Sequence, residues 1–70
     1  MLLVKDLAQL SGLSVYTVEF YLKKGLLKES GRGPFTHYRY FNDQAVQRLK
    51  QIRELRMQGM NLADIRSQLK

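Results

Sequence analysis

Hydrophobic and polar positions in the N-terminal part of the chain alternate at the spacing of two short helices. Val4, Leu7 and Ala8 form an apolar stripe in VKDLAQLSG, and Gly12 interrupts the pattern there. A second stretch with helical spacing follows directly and ends before another glycine. Two short helices joined by a turn of three or four residues that contains glycine form the helix-turn-helix pattern. An ordinary helical hairpin with a polar outer face fits this segment equally well.

The second stretch, LSVYTVEFYLKKGLL over residues 13–27, predicts a helix with one buried side and one exposed side. The stripe expected to face a core consists of Val15, Val18 and Leu22. Ser14 can cap the helix start through its hydroxyl, and Gly25 can end it because glycine takes the left-handed conformation without a steric penalty. The outward face is expected to carry Tyr16, Thr17, Phe20, Tyr21, Lys23 and Lys24. Hydroxyls, aromatic rings and ammonium groups suit contact with phosphates and groove walls.

The next stretch predicts a β-hairpin over about residues 27–41. KESGRGP is rich in turn-forming residues, and FTHYRYF has the aromatic composition of a strand. We expect the first strand near residues 27–28, Arg32 at the tip and Arg39 in the second strand. A hairpin inserted between helices in this way is a wing, and exposed basic residues on it often meet phosphate. The alternative is a plain surface hairpin whose tyrosines cover the core.

Two further helices are predicted over about residues 43–58 and 62–69. Asn42 or Asp43 is expected to cap the third helix and Asn61 the fourth, while Gly59 ends the third. Their buried sides are expected to contain Ala45, Val46, Leu49, Ile52 and Leu55, then Leu62, Ile65 and Leu69. The basic residues placed mostly away from the buried side are Arg48, Lys50, Arg53 and Arg56. Apolar periodicity continues up to Lys70, so we expect the natural chain to extend further.

The charge balance narrows the classes of partner. The chain has 12 Lys and Arg against 6 Asp and Glu, a net charge of +6. A small domain with this excess is drawn to polyanions, and nucleic acid fits, although an anionic membrane surface or an acidic protein also would. We see neither a signal peptide nor an apolar run of membrane-spanning length, so we expect a soluble intracellular protein.

Catalytic and metal-binding patterns are missing from the sequence. There is no cysteine and a single histidine, His37, so neither a disulfide nor a thiolate zinc site can form. The sequence also lacks a His/carboxylate constellation and a phosphate-cradling glycine loop. We therefore expect a protein that is not an enzyme and needs no cofactor or metal.

Three groups of residues occur in an order and spacing that a known family shares. The first group is Ser14, Val15, Thr17, Val18, Glu19, Phe20, Tyr21, Gly25, Leu26 and Leu27. The second is Arg39, Tyr40, Phe41, Asn42 and Asp43. The third is Arg48, Leu49, Ile52, Leu55, Arg56, Gly59, Met60, Asn61, Leu62 and Ile65. With these groups the chain resembles the MerR-type transcriptional regulators over nearly its whole length.

The resemblance implies a mainly α fold, a winged helix-turn-helix in which residues 1–70 form a single domain that binds double-stranded DNA. Family members act at promoters with an over-long spacer and distort the DNA so that RNA polymerase can use it. They form homodimers through a long C-terminal helix after the fourth helix, which is not present here. Such a regulator is expected in the bacterial cytoplasm, associated with the nucleoid.

The main departure from the family pattern is Glu19, where the family usually has arginine. A carboxylate near phosphates repels them, but in the major groove it can accept a hydrogen bond from cytosine N4. The family's arginine contact therefore cannot be carried over, and the base preference is expected to differ.

Three hypotheses follow for the function. The first is sequence-specific binding of duplex DNA by a MerR-like regulator. The second is an architectural DNA-bending factor on the same fold, similar to excisionases or packaging proteins, and the third is a basic module that docks on an acidic protein or a membrane. The candidate phosphate contacts are Tyr21, Lys23, Arg32, His37 and Arg39. The candidate base-edge contacts are Tyr16, Thr17 and Glu19, and the rest of the DNA-facing set is Ser14, Phe20 and Tyr38.

Overall fold

The computed structural model describes residues 1–69, which form four helices and a two-stranded antiparallel hairpin. The elements are α1 (Val4–Ser11), α2 (Val15–Lys23), β1 (Gly31–Arg32), β2 (Arg39–Tyr40), α3 (Asp43–Met57) and α4 (Leu62–Gln68). The order of elements expected for a winged helix-turn-helix is confirmed, and the last residue of the predicted domain lies outside the described part. Within residues 1–69, no helix is both long and apolar enough to cross a membrane.

Side-chain hydrogen bonds cap the N-terminal ends of α2, α3 and α4 at the residues that the sequence predicts. In each, a Ser or Asn side chain accepts a hydrogen bond from the backbone N–H three residues later, which satisfies a donor that the helix leaves unpaired. The pairs are Ser14 with Thr17 at 3.1 Å, Asn42 with Ala45 at 3.3 Å and Asn61 with Asp64 at 2.9 Å. Of the two candidates for α3, Asn42 is the cap. Gly25 has a φ of +77°, as expected for the residue that ends α2.

The core lies between α1, the inner side of α2, α3 and α4. Its most deeply buried side chains are Leu7, Val18, Leu26, Phe41, Leu49, Ile52 and Ile65. Phe41 stands at the base of the hairpin, where its backbone N and O pair with those of Leu2 at 2.7 and 3.1 Å. This bridge ties the end of β2 to the segment just before α1, so the hairpin has a fixed base.

The side of α2 that faces the core differs from the predicted one. Tyr21 is only 6% exposed and belongs to the core, so its placement on the outward face was wrong. Val15, predicted to be buried, is 47% exposed. The buried stripe is centred on Val18 and Tyr21, which are three residues apart, with Leu22 half-buried at its edge. Two stripes fit the helical period in a helix this short, and packing against α1 decides between them.

The hairpin begins later and is shorter than predicted. The strand expected near residues 27–28 forms at Gly31–Arg32 instead, while Leu27 is buried in the core. Arg32 pairs in register with Arg39, so Arg32 lies in a strand rather than at the tip. The loop of residues 34–37 is closed by a hydrogen bond from Gly33 N to Tyr38 O at 2.9 Å. Pro34 lacks an N–H and His37 has a φ of +60°, so neither residue continues a strand.

Arg48 of α3 was placed away from the buried side, but it is half-buried and bonds to two other segments of the chain. Its Nε donates to the carbonyl of Leu26 at 3.0 Å, and its Nη1 donates to the carbonyl of Leu69 at 2.8 Å. Arg66 of α4 also donates to the carbonyl of Lys24. These contacts hold the end of α4 beside the segment that follows α2.

Candidate nucleic-acid interface

A groove between α2 and the hairpin collects charged residues from both elements. We call it the α2–hairpin groove; it is lined by Glu19, Leu22, Lys23, Leu27, Lys28, Glu29, Arg32 and Arg39. Half of these residues are basic, and they come from a helix, a connecting segment and two strands. The fold therefore brings together the predicted phosphate contacts Lys23, Arg32 and Arg39 with the predicted base-edge contact Glu19.

An ion pair crosses the groove from α2 to β2. The Nη2 atom of Arg39 lies 2.8 Å from both carboxylate oxygens of Glu19, 20 residues away in the sequence. The side chains remain 30% and 45% exposed, respectively. Exposed ion pairs contribute only about 0–1 kcal/mol to stability, so this one chiefly sets where the two side chains lie. The sequence predicts a role for each of these two residues, but their pairing is seen only in the folded chain.

A second ion pair lies within the hairpin region. Arg32 Nε donates to Glu29 Oε1 at 3.1 Å, and the Arg32 side chain is 58% exposed. The other oxygen, Glu29 Oε2, is buried without a hydrogen-bond partner among residues 1–69. Both predicted arginines of the hairpin therefore have a carboxylate partner in the free chain.

The exposed side of α2 carries a row of polar and aromatic side chains. Tyr16, Glu19, Phe20 and Lys23 follow one another at spacings of three, one and three residues, which places them on one helical face. Tyr16 is 81% exposed, whereas Phe20 is half-buried and has the Lys24 ammonium 5.5 Å from its ring centroid. This face has the donors, acceptors and rings that base edges and phosphates require.

Ser14 and Thr17 lie at the N-terminal end of α2, outside the residues that line the α2–hairpin groove. Their hydroxyl oxygens are 2.9 Å apart, and Ser14 also caps the helix. Both side chains are therefore held in place by local contacts. Any contact with DNA would be made from the start of the helix.

His37 and Tyr38 lie on the other side of the hairpin. They line a small cleft with Arg39 and with Leu3, Val4 and Lys5. Both are exposed, and His37 takes the left-handed conformation that closes the loop. Arg39 lines this cleft as well as the α2–hairpin groove, so it stands at the centre of the charged surface.

Sequence reasoning missed two exposed residues beside this set. Lys28 lines the α2–hairpin groove from the segment after α2, and the preceding Lys23 and Lys24 were the only signal for it. Phe35 is 91% exposed in the hairpin loop, where it had been assigned to a strand. Its position after Pro34 in a turn-rich segment could have placed it in the loop.

The chain is similar in sequence and fold to known transcriptional regulators. The chain is 41% identical over 59 residues to a protein of Haemophilus influenzae named "Uncharacterized HTH-type transcriptional regulator", covering 84% of this chain and 43% of that protein. The crystal structure of the transcription regulator PbrR691 from Ralstonia metallidurans CH34, in complex with lead(II), superposes with a TM-score of 0.89. That similarity has 35% identity and covers 99% of this chain and 53% of that chain.

A further solved structure has DNA bound. It is HiNmlR, described as a MerR family regulator lacking the sensor domain, in complex with promoter DNA, with a TM-score of 0.84 and 36% identity. The similarity covers 96% of this chain and 50% of that chain, so the chain spans about half the length of these relatives. Residues 2–70 match the family described as MerR HTH family regulatory protein. The chain belongs to the MerR HTH family of regulatory proteins.

Proposed function

We propose that the chain binds double-stranded promoter DNA as the DNA-reading part of a transcriptional regulator. The observation that carries the proposal is the α2–hairpin groove, in which the exposed face of α2 adjoins the basic side chains of the hairpin. A helix of this kind enters the major groove while neighbouring basic residues contact the backbone. The family membership and the likeness to HiNmlR, solved on promoter DNA, support it. The relatives are transcriptional regulators, which supports a non-enzymatic role and favours regulation over DNA architecture or docking on membranes.

The residues divide into positioning and reading contacts. Lys23, Arg32 and Arg39 are the phosphate contacts, since their cationic groups border the same groove, and His37 adds a contact from the loop. The base-edge contacts are Tyr16, Thr17 and Glu19, with Ser14 and Phe20 beside them on α2 and Tyr38 on the hairpin. A phosphate contact by Tyr21 would depend on the 6% of that residue that stays exposed.

Assembly and the effect on transcription belong to the same proposal. The resemblance to MerR-type regulators supports a homodimer formed by a helix that follows α4, and an indirect action on RNA polymerase through distorted promoter DNA. Such a protein would work in the bacterial cytoplasm, on the nucleoid.

The proposal is tested by measuring the affinity of the chain for labelled duplex DNA, by fluorescence anisotropy, at several salt concentrations. The logarithm of the binding constant should fall linearly with the logarithm of salt, with a slope of about −0.9 for each phosphate contacted. Three contacts give a loss of roughly 40-fold between about 50 and about 200 mM salt. Binding that is insensitive to salt, or a preference for anionic vesicles over duplex, would contradict the proposal.

A matched pair of lysine variants places the interface. Lys23→Ala removes a cation from the α2–hairpin groove, whereas Lys50→Ala removes one from the exposed surface of α3. Lys23→Ala is expected to weaken binding and reduce the salt slope by about one contact, and Lys50→Ala to change both far less. Equal effects of the two variants would show that net charge alone, and not this groove, binds the DNA.

A further inference from the structure

The ion pair between Glu19 and Arg39 has a geometry that leaves the arginine able to change partner. One guanidinium nitrogen, Nη2, serves both carboxylate oxygens at 2.8 Å. Within residues 1–69, these are the only hydrogen bonds of the Arg39 guanidinium, so no other contact holds it in place when a phosphate competes for it. While the pair is closed, the carboxylate neutralises the arginine. A polyanion is then attracted to Arg39 less strongly than to an unpaired arginine.

We propose that Glu19 is a specificity-determining residue that withholds Arg39 from DNA phosphates until its own carboxylate meets a base-edge donor. The inference rests on the proposed function and concerns the same site. In the free chain the pair holds Arg39 against α2. On an arbitrary duplex, transfer of Arg39 to a phosphate leaves Glu19 ionised and unpaired beside a polyanion, which is unfavourable.

The base that relieves this cost follows from the chemistry of the major groove. A carboxylate accepts a hydrogen bond, and cytosine presents its N4 amino group there as a donor. When a cytosine faces Glu19, its N4 amino group donates to the carboxylate in place of the Arg39 guanidinium. Arg39 can then bind a phosphate without leaving the carboxylate unpaired. The release of the wing arginine is thereby linked to the identity of one base.

Two simpler explanations make different predictions. If Glu19 only repels phosphates, removal of its charge improves DNA binding equally whether or not Arg39 is present. If the pair is only structural, breaking it lowers stability and weakens binding to every duplex. In our proposal the gain from removing Glu19 depends on Arg39, because it arises from releasing that residue. A double-mutant cycle measures this dependence.

The experiment compares the wild-type chain with Glu19→Gln, Arg39→Gln and the double variant, using anisotropy with a random-sequence duplex. Glu19→Gln is expected to tighten binding about threefold to fivefold when Arg39 is present and less than about twofold in the Arg39→Gln background. Additive effects overturn the inference. Thermal unfolding followed by circular dichroism is expected to show nearly unchanged midpoints, since both side chains are partly exposed. A loss of folding in either variant would favour the structural explanation and overturn ours.

Two controls use residues of the same types. Glu54→Gln makes the same charge change at an exposed position on α3 and is expected to change affinity by less than about twofold, with or without Arg39. The cycle between Glu29 and Arg32 alters the same kinds of residue in the same groove. The coupling between these two residues is expected to be weaker, because Arg32 Nε donates to only one oxygen of Glu29, at 3.1 Å, and the Arg32 side chain is 58% exposed.

Selection of binding sites from a random duplex pool completes the test. The wild-type chain is expected to enrich cytosine at one position, and Glu19→Gln to lose that preference while it keeps the rest of the motif. An identical motif for both proteins overturns the inference. If the wild-type chain binds duplex DNA but the cycle is additive, only this inference fails, whereas absence of duplex binding removes the proposed function as well.

Discussion

The core and the α2–hairpin groove are held together by different physical means. In the core, side chains such as Leu7, Leu49 and Ile52 are fully buried, and removal of apolar surface from water stabilises by about 25 cal/mol per Å². The groove is instead organised by two exposed ion pairs, each contributing about 0–1 kcal/mol. The difference indicates that substitutions of charged residues in the groove have little effect on the fold, whereas substitutions in the core also alter the groove.

The two regions share elements, which makes the groove depend on the core. On α2, Glu19 faces the groove while the neighbouring Val18 and Tyr21 are buried. On the hairpin, Arg39 precedes the buried Phe41 by two residues. Each charged side chain is thus positioned by a buried neighbour. Loss of core packing is therefore expected to move the charged side chains of the groove apart.

The largest expected effect comes from a core truncation, Leu49→Ala. Leu49 is fully buried in α3, and such truncations cost about 2–5 kcal/mol. A single core of this size supplies only about 3–5 kcal/mol, so the variant is expected to lose most of its free energy of unfolding. Urea titration followed by circular dichroism measures this. Met57→Ala on the same helix is the control, since Met57 is 72% exposed, and an equal loss in both would contradict the core assignment.

A smaller effect is expected where the core is closed by polar contacts. Arg48→Met keeps a long helix-forming side chain but removes the hydrogen bonds to the carbonyls of Leu26 and Leu69. The free energy of unfolding is expected to fall by about 1–3 kcal/mol, and amide hydrogen exchange in α4 is expected to become faster. Lys50→Met, at an exposed position two residues on, should change neither measurement by more than about 0.5 kcal/mol. Unchanged exchange in α4 for Arg48→Met would show that these contacts do not hold the helix.

A third prediction compares two variants of α2, one that affects the stability of the fold and one that affects the DNA-facing surface. Ser14→Ala removes the cap of α2 and is expected to lower the free energy of unfolding by about 1 kcal/mol without any DNA present. Tyr16→Ala, two residues on, removes a side chain that is 81% exposed and is expected to leave stability within about 0.5 kcal/mol while weakening DNA binding. Thermal unfolding and anisotropy distinguish the two. A stability loss in Tyr16→Ala as large as in Ser14→Ala would contradict the division.

The sequence predicted those features that depend on neighbouring residues. The caps Ser14, Asn42 and Asn61 were found because each acts on an N–H three residues away. Helical periodicity also predicted the four helices, most clearly α3, whose buried positions Ala45, Val46, Leu49 and Ile52 span about two turns. Spacing and turn residues also predicted the order of the elements, and the resemblance to a family implied the winged helix-turn-helix fold and the binding of double-stranded DNA.

Features that depend on packing between distant segments were not predictable in the same way. Tyr21 and Val15 were exchanged between the buried and exposed sides because nine residues of α2 do not fix the helical phase. The hairpin was placed too early because aromatic residues that favour strands occupy its loop. The pairing of Glu19 with Arg39 joins residues 20 apart, and only the fold brings them together.

The smallest expected effects on stability come from two substitutions in the hairpin loop, His37→Gly and His37→Asn. The φ of His37, +60°, is a conformation that glycine and asparagine adopt readily, so His37→Gly and His37→Asn are expected to stay within about 0.5 kcal/mol of the wild type. His37→Val is expected to cost about 1–2 kcal/mol, because a β-branched residue is strained there. Thermal unfolding of the three variants gives these values.

The same variants decide whether His37 contacts DNA. If the imidazole donates to a phosphate, His37→Gly weakens duplex binding, and His37→Asn weakens it less because its amide can still donate. Neither variant loses stability, since the loop keeps its shape. If only the loop conformation matters, these two bind as the wild type does and His37→Val alone binds more weakly. If His37→Gly and His37→Asn bind weakly and also unfold at a lower temperature than the wild type, the loop contributes to the stability of the core. The separation between core and groove would then not extend to the hairpin.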